Sequence, residues 1–433
     1  MSRALELYRS LPRYLTTRTV SGRLPSLAGA AATTTAPLRL RDRPTPSRPG
    51  PDWVTIRPRL SGICGSDLAT VTGRSSFYFA SLVSMPFVPG HEIVADTQTD
   101  VTLSNGTELS AGSRVVVDPV LGCAARGLPA CTGCAGGHTS RCDRVTSGHV
   151  SPGLQTGFCA DTGGGWSGAL VAHRSQLYPV PADLPDERAV LVEPLACAVH
   201  TALRAAPADG DRVLVIGAGA VGLFTLLALR AYTRAGTVTV VAKHRRQVEL
   251  ARLFGADEVL PPASAVGGVR RGTRALRLDP EVGPPYLLGG VDVAIDCAGS
   301  ASSLSTALRT TRAGGRVVLS GVPTGSVDLT PLWFRELELV GAYASSAGTA
   351  AHPAVRLDAH SDDRPDNQVN GHAGGRPRER SDFDRALELA ASAPLDGILS
   401  ATYPLDRWRD ALDHALSAGR LGAVKVAFDL MTP

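Results

Sequence analysis

VLVIGAGAVG, residues 213–222, runs a short apolar strand straight into a glycine turn, and the helical stretch LFTLLALRAYTRA comes next. Gly217, Gly219 and Gly222 stand at G-x-G-x-x-G spacing. In such a turn the first glycine lets the chain bend sharply. The second lets the backbone approach a pyrophosphate, and the third lets the helix lie close to the strand. The helix start then offers free N–H groups and the positive end of its dipole to phosphates. The spacing alone is a weak signal. Its setting between a strand and a helix, with a second strand TVTVVA beyond, predicts a dinucleotide site built on Gly217, Gly219, Ala220, Val221 and Gly222. The competing reading is a glycine-rich packing turn in a sheet that binds nothing.

Outward from this turn, residues 185–340 alternate β-branched runs (VDVAIDCA, GRVVLSGV) with helical ones (RRQVELARLFGA, SSLSTALRTTRAG). That alternation predicts a parallel sheet with helices on both faces. Residues 261–290 carry Pro, Gly and Arg with little periodicity and read as an insertion between sheet elements. Upstream, residues 4–181 hold short apolar runs (VTIRPRL, PFVPGHEIVAD, SRVVVDPV) between Gly and Pro, the mark of a β-rich unit. The Arg-rich opening, with Glu6 its one acid, has the composition of a transit peptide. It reads better as a first strand over 4–8 followed by a basic surface loop. Residues 359–381 have too few large apolar side chains to bury and predict a mobile loop. FDRALELAAS, DRWRDALDHALSAG and AVKVAFDL then return to helix and strand.

The chain has 433 residues, room for two or three domains. Its net charge of +4 is too small to imply a nucleic-acid partner, and no apolar run is long enough to span a membrane. Of its basic residues only Lys243 and Lys425 are lysines. Four of the eight cysteines fall within twenty residues. Without a secretory signal, such a cluster favours metal over disulfides and predicts a cytoplasmic protein.

The end of the second strand discriminates between dinucleotides, because an acid there would bond the ribose hydroxyls of NAD. Ala242 occupies that place, followed by Lys243, His244, Arg245 and Arg246. A 2′-phosphate would meet no repulsion there and could pair with the cations, so NADP is expected over NAD. The alternative is a solvated basic turn.

Two groups of residues have metal-ligand chemistry. SGICGSD supplies Cys64, PFVPGHE supplies His91 and Glu92, and LVEPLACAVH supplies Glu193. A catalytic zinc takes three protein ligands and keeps a fourth position open. Cys64, His91 and Glu193 would provide a thiolate, an imidazole and a carboxylate. The second group is Cys123, Cys131, Cys134 and Cys142, spaced C-x7-C-x2-C-x7-C. Four thiolates on one short lobe, about residues 120–145, can close a tetrahedral structural site. Two zinc ions per chain are therefore expected. Cys159, Cys197 and Cys297 read as small core residues, with Cys159 also a candidate for the substrate cleft.

In this order (GICGSD, PGHE, the cysteine lobe, VEP, GAGAVG, RAGGRVVLSG) the chain resembles the zinc-containing medium-chain dehydrogenases/reductases, the alcohol, sorbitol and threonine dehydrogenase-like proteins. The resemblance implies a GroES-like catalytic domain over 1–194, a Rossmann NAD(P)-binding domain over 195–340 and a return of 341–433 to the catalytic domain. It implies that Cys64, His91 and Glu193 hold the catalytic zinc, with Glu92 as an alternate ligand or neighbour. Asp67 would orient His91, and Ser66 would touch the substrate oxygen and start the proton relay. Cys131, Cys134 and Cys142 match the last three structural ligands. Three departures stand out. Leu128 occupies the usual place of the first structural cysteine, so Cys123 would have to replace it through a longer loop. Ala69 replaces a histidine of the usual proton exit, for which a water or Thr70 could substitute. The insertions at 261–290 and 359–381 are longer than usual.

The expected activity is hydride transfer between a secondary alcohol or polyol, or the matching carbonyl, and NAD(P). Zinc would act as the Lewis acid and Ser66 as the proton acceptor. Phe77, Tyr78, Phe79 and Trp166 are candidates for the cleft or the core. The alternatives are a zinc-independent quinone or enoyl reductase, against which Cys64, His91 and Glu193 argue, and a catalytically silent dinucleotide-binding sensor or scaffold. The family implies a homodimer or homotetramer; a membrane or nucleic-acid partner is not expected.

Overall fold

The computed structural model describes residues 1–24, 28–322, 325–346 and 380–432. Most of the expected mobile loop, 359–381, lies outside them. Its last two residues, Arg380 and Ser381, are described, and Ser381 is buried as the N-cap of the helix Asp382–Ser392.

The strand Val213–Ile216 is the hub of a six-stranded parallel sheet. Its neighbours are Val238–Val241, then Glu258–Leu260, on one side, and Val291–Asp296, Thr311–Leu319 and Glu338–Gly341 on the other. Numbered along the chain the order is 3-2-1-4-5-6, the doubly wound arrangement, with its switch point at Val213–Ile216. Val213, Leu214, Val215 and Ile216 are all buried, as expected of a strand covered on both faces. Residues 261–290 are more ordered than the sequence suggests. They contain the helix Ala265–Thr273 and an antiparallel pair, Leu276–Leu278 with Tyr286–Leu288. The helix is short and carries glycines at 267, 268 and 272, which hid its periodicity.

The second sheet has seven strands and is mostly antiparallel. Trp53–Gly62 lies at its centre, with Glu92–Thr97, Arg114–Val117 and Leu177–Pro179 outward on one side. On the other side the C-terminal strand Lys425–Asp429 pairs with Trp53–Gly62, Leu399–Pro404 lies beyond it, and the seventh strand, Leu170–His173, pairs with the start of Trp53–Gly62. The end of the chain is thus a structural part of the domain built by its beginning. The two domains share a continuous core, in which Leu60 and Val94 of the second sheet join Val213 and Val215 of the first through the helix Val192–Ala205.

The opening of the chain corrects its sequence reading. The first strand is Ser2–Leu7, paired antiparallel with Leu38–Arg43. Next in the chain come a helix, Leu11–Arg23, and a second helix, Ala28–Thr34, rather than a surface loop. Pro12 sits in the first turn and Arg23 in the last, both favourable places. The buried residues of the first helix are Thr17 and Ser21. Thr17 is held by a hydroxyl pair with Thr35, 2.9 Å apart, and no apolar stripe announces the helix.

Candidate active site

The short helix Gly65–Val71 begins just after Cys64, and the Cys64 N–H donates to the Asp67 carboxylate at 3.0 Å. Asp67 is fully buried and turns its other oxygen to His91 Nδ1 at 3.4 Å. His91 directly precedes the strand Glu92–Thr97. Ser66 Oγ lies 3.5 Å from His91 Nε2. The ring of Phe158 packs beside His91, centroid to centroid 5.8 Å. Glu92 stands opposite Gly62 in the strand pair, and a Cβ on Gly62 would come within 1.9 Å of Glu92 Oε2. The missing side chain at Gly62 is what leaves space for this carboxylate. Glu92 Oε1 receives a hydrogen bond from Lys425, carried in by the C-terminal strand, and both residues are buried. Glu92 Oε2 has no hydrogen-bond partner among the described residues.

Ligand atoms of Cys64, His91 and Glu92 all lie within 4.8 Å of one another. The expected set named Glu193 as the third member, with Glu92 as the alternate. The structure brings Glu92, the alternate, into the group, while the Cys197 thiol donates to Glu193 Oε1 at 3.3 Å. Glu193 is buried on the first turn of the helix Val192–Ala205. Burial pushes its pKa up to about 7; His91 pulls it down while Glu92 pushes it further up. At His91 burial opposes the charged form, yet Asp67 and Cys64 outweigh it and raise the pKa well above the usual imidazole value. The Asp67 and Cys64 charges that act on His91 would likewise favour a bound cation. An unpartnered carboxylate oxygen beside a thiol and an imidazole is also the donor chemistry a zinc ion takes. Buried carboxylate oxygens are rarely left without a partner.

The second cysteine group closes as its spacing suggests. Cys123, Cys131, Cys134 and Cys142 gather with all sulfurs within 4.8 Å. Cys123 Sγ is 3.6 Å from Cys142 Sγ, and the Cys131 and Arg144 N–H groups point at Cys123 and Cys142 sulfurs at 3.4 Å. Leu128, in the place of the usual first cysteine, packs against the cluster. N–H bonds from the backbone draw the Cys131 thiol down to about 6, while burial raises Cys134 and Cys142.

At the glycine turn Gly217 has φ +101°, and a Cβ on Gly222 would sit 1.8 Å from the Gly217 carbonyl. Both positions therefore require glycine. Gly219, the N-cap of the helix Ala220–Tyr232, faces open space, and no side chain caps that helix start. Its N–H groups remain available to a phosphate. Ala242 is buried at the end of the second strand, and Lys243 is exposed. The Lys243 and His244 N–H groups both donate to Gln247, His244 lies against Gly419, and Arg245 pairs with Glu249. Among the predicted cations Lys243 alone has neither an ion pair nor a packed side chain among the described residues.

Other sequence candidates divide. Trp166 is fully buried against Phe428, so it belongs to the core, whereas Phe77 and Tyr78 are exposed and Phe79 half-buried. Cys159 is buried with its thiol turned to the Ser151 carbonyl. Cys297 packs under the glycine turn, whereas Cys197 meets Glu193 and is no mere core filler. The Thr70 hydroxyl donates to the Ser66 carbonyl and meets Ser75 Oγ, not Ser66 Oγ. Lys425 was missed by sequence reasoning. The available signal was that it is one of two lysines in a chain otherwise supplied with arginine.

A glycine turn at the switch point of a doubly wound sheet, in a chain whose β-rich domain gathers a thiol, an imidazole and a carboxylate, has the parts of a metal-assisted dinucleotide oxidoreductase. The comparisons agree. Residues 50–182 match the alcohol dehydrogenase GroES-like domain, and residues 220–357 match the zinc-binding dehydrogenase family. The chain is 31% identical over 301 residues to L-idonate 5-dehydrogenase of Vitis vinifera, covering 68% of this chain and 74% of that one. It is 30% identical over 299 residues to sorbitol dehydrogenase of Arabidopsis thaliana, with the same coverage. Among solved structures, a zinc-binding dehydrogenase of Sinorhizobium meliloti bound to NADP superposes with a TM-score of 0.63 at 25% identity, over 90% of this chain and 95% of that one. The fold is shared with 2R,3R-butanediol dehydrogenase of Bacillus subtilis, TM-score 0.66 at 20% identity, over 99% of each chain. The chain belongs to the zinc-type alcohol dehydrogenase family of medium-chain dehydrogenases/reductases.

Proposed function

We propose that the protein oxidises a secondary alcohol of a polyol, or reduces the matching carbonyl, with NAD(P), and that Cys64, His91 and Glu92 hold the catalytic zinc. The observation that carries this is the convergence of those three donors from separate segments, with one Glu92 oxygen unpartnered. A zinc-independent reductase would have no use for such a set. Bound there, zinc supplies the Lewis acidity that lowers the pKa of a substrate hydroxyl, and the nicotinamide supplies the hydride acceptor. Asp67 fixes the orientation of His91 through its Nδ1 side, a support that metal-binding histidines commonly use. Lys425 fixes Glu92 from the far side. Ser66 holds the substrate proton at Oγ and, being half-exposed, passes it to water. Thr70 is already engaged with the Ser66 carbonyl, so water is the exit that replaces the histidine lost at Ala69. Phe158 excludes water on the His91 side. The relatives' names, idonate and sorbitol dehydrogenases, support a polyhydroxylated substrate.

Three finer readings go with this one. Cys123, Cys131, Cys134 and Cys142 hold a second, structural zinc, giving two per chain. NADP is preferred over NAD, supported by buried Ala242 where a carboxylate would stand, by the free Lys243 and by the NADP-bound neighbour. Lys243→Asp should shift the ratio of kcat/KM for NADP over NAD toward NAD by roughly tenfold or more, one charge contact's worth; an unchanged ratio removes Lys243 from cofactor choice. The protein acts as a homo-oligomer. A screen of polyols, secondary alcohols and their carbonyl forms with both cofactors, monitored by nicotinamide absorbance, tests the activity. Polyol oxidation that disappears in Cys64→Ser is expected, and turnover with none of these substrates would overturn it.

A further inference from the structure

The mostly antiparallel sheet meets the parallel-sheet domain across a row of charges, and a β-bulge aims one of them. Pro58 lies opposite Ala95 and Leu60 opposite Val94, so that Arg59 is the extra residue between. Pro58 has no N–H to give the ladder, which suits an irregularity at this place. The bulge reverses the strand's faces. Ile56 packs with Ala95 and Val115 in one core, whereas Leu60 joins Val94 and Val116 in the core shared with the helix Val192–Ala205. Arg59 turns to that second side as well, since a bulge re-aims the side chain it adds, and there it meets Asp186.

Asp186 opens the short helix Asp186–Ala189 on the stretch that first carries the chain from the strand Leu177–Pro179 to the helix Val192–Ala205. Its Oδ2 accepts from Arg59 Nε at 2.6 Å and its Oδ1 from Arg114 Nη1 at 2.9 Å. Arg59 Nη1 donates to Asp96 at 3.0 Å, and Asp96 stands opposite Arg114 in the adjoining strand. Arg114 also grips the same stretch by its carbonyls, at Leu184 (2.9 Å), Pro181 (2.8 Å) and Ala182 (3.0 Å). The four charged side chains are 18–29% exposed and balance two against two. A part-buried network that uses both oxygens of one carboxylate holds its geometry better than an isolated surface pair.

The place of these charges in the chain gives them a use. Arg59 stands on the strand that leads to Cys64, and Asp96 on the strand that begins at Glu92. From Asp186 the chain runs through the helix Val192–Ala205 to Val213–Ile216 and the glycine turn. Hydride moves only when the reacting atoms come within about 3–3.5 Å, and a shift of about 1 Å costs on the order of a hundredfold in rate. We propose that the Arg59–Asp186 pair is a positioning device for hydride transfer, setting the thiol–imidazole–carboxylate group of one domain in register with the glycine turn of the other. This rests on the reading of the protein as a zinc-dependent alcohol oxidoreductase.

The test is made on the full chain. Asp186→Asn removes the charge and keeps the size of the side chain. Zinc content and the Kd for the nicotinamide cofactor, read by its fluorescence, should stay within about twofold of the parent, while kcat falls roughly tenfold. Arg59→Gln should behave alike, and the double variant should be no slower than either single one, because both remove the same contact. Losses that add, an unchanged kcat, or a fall in zinc or cofactor binding that accounts for the whole change overturn the positioning role. A parent that oxidises no alcohol overturns the activity reading instead, and a measurement free of turnover then decides the inference. Amide hydrogen exchange across 186–205 should rise in Asp186→Asn or, if that chain does not fold, in Arg59→Gln. Unchanged protection there overturns the inference whatever the activity.

Discussion

Asp118 shows how far one side chain can bias the molecule's response to pH. It is buried, receives the Val120 N–H at 3.1 Å and lies 3.4 Å from Ser345 Oγ. Burial pushes its carboxyl up to about 7, with the charge of Asp382 adding to the effect. An unfolded aspartate titrates near 3.9. The folded state therefore binds the proton more tightly, and this contribution to stability is fully present below about 3.9 and lost as pH rises through about 7. The melting temperature should fall between pH 5 and pH 8, and Asp118→Asn should shrink that fall by a few degrees. An identical slope in the variant would remove Asp118 as its cause. The proposed metal donors show what a sequence can and cannot say at this scale. Cys64 and His91 were legible because GICGSD and PGHE are unusual strings. That Glu92 gathers with Cys64 and His91 was not, because it depends on the space left at Gly62 in the adjoining strand and on a lysine 333 positions away.

Among the elements, the helix Leu11–Arg23 lies outside the residues matched by either family model and yet reaches the turn that follows the helix Gly65–Val71. Arg18 Nη1 donates to the Gly73 carbonyl at 2.6 Å and the Ser75 carbonyl at 3.2 Å, and its guanidinium lies 4.5 Å from the centre of the Phe77 ring. Ser75 Oγ meets Thr70, whose hydroxyl bonds to the Ser66 carbonyl. The added helix thus braces the turn that ends the segment carrying Ser66 and Asp67. Losing hydrogen bonds worth about 1 kcal/mol each should lower kcat/KM for the polyol several-fold in Arg18→Ala with zinc content unchanged. Native kinetics in that variant would make the helix a passive addition. This helix escaped the sequence reading because its buried positions are threonine and serine, not an apolar stripe. The glycine-turn helix was legible because strand, turn and apolar helix all pointed to one answer.

Across the whole molecule, the parallel sheet ends in the strand Glu338–Gly341, whose outer edge is unpaired among the described strands. Trp333, Phe334 and Leu339 beside it expose 79%, 65% and 36% of their surfaces. An open edge flanked by bare aromatic side chains invites a second copy of the chain. Light scattering should give at least a dimer, and Trp333→Glu should shift it toward monomer; a native monomer contradicts the oligomer. No helix among the described residues is long and apolar enough to cross a membrane. The doubly wound domain was legible where apolar strands alternate with helical stretches, but not over 261–290, where glycines hid the helix Ala265–Thr273. The joining of Lys425–Asp429 to Trp53–Gly62 came from resemblance alone, since no local pattern says which strand a C-terminal segment will meet.

The proposed polyol oxidation depends on Cys64, His91 and Glu92 together holding an ion. Zinc per chain, measured on the native protein and on Cys64→Ser alongside turnover, tests this most directly. Two zinc ions falling to one, with activity lost, is the predicted result. A zinc count that does not change, or polyol oxidation by a chain stripped of metal, would contradict it.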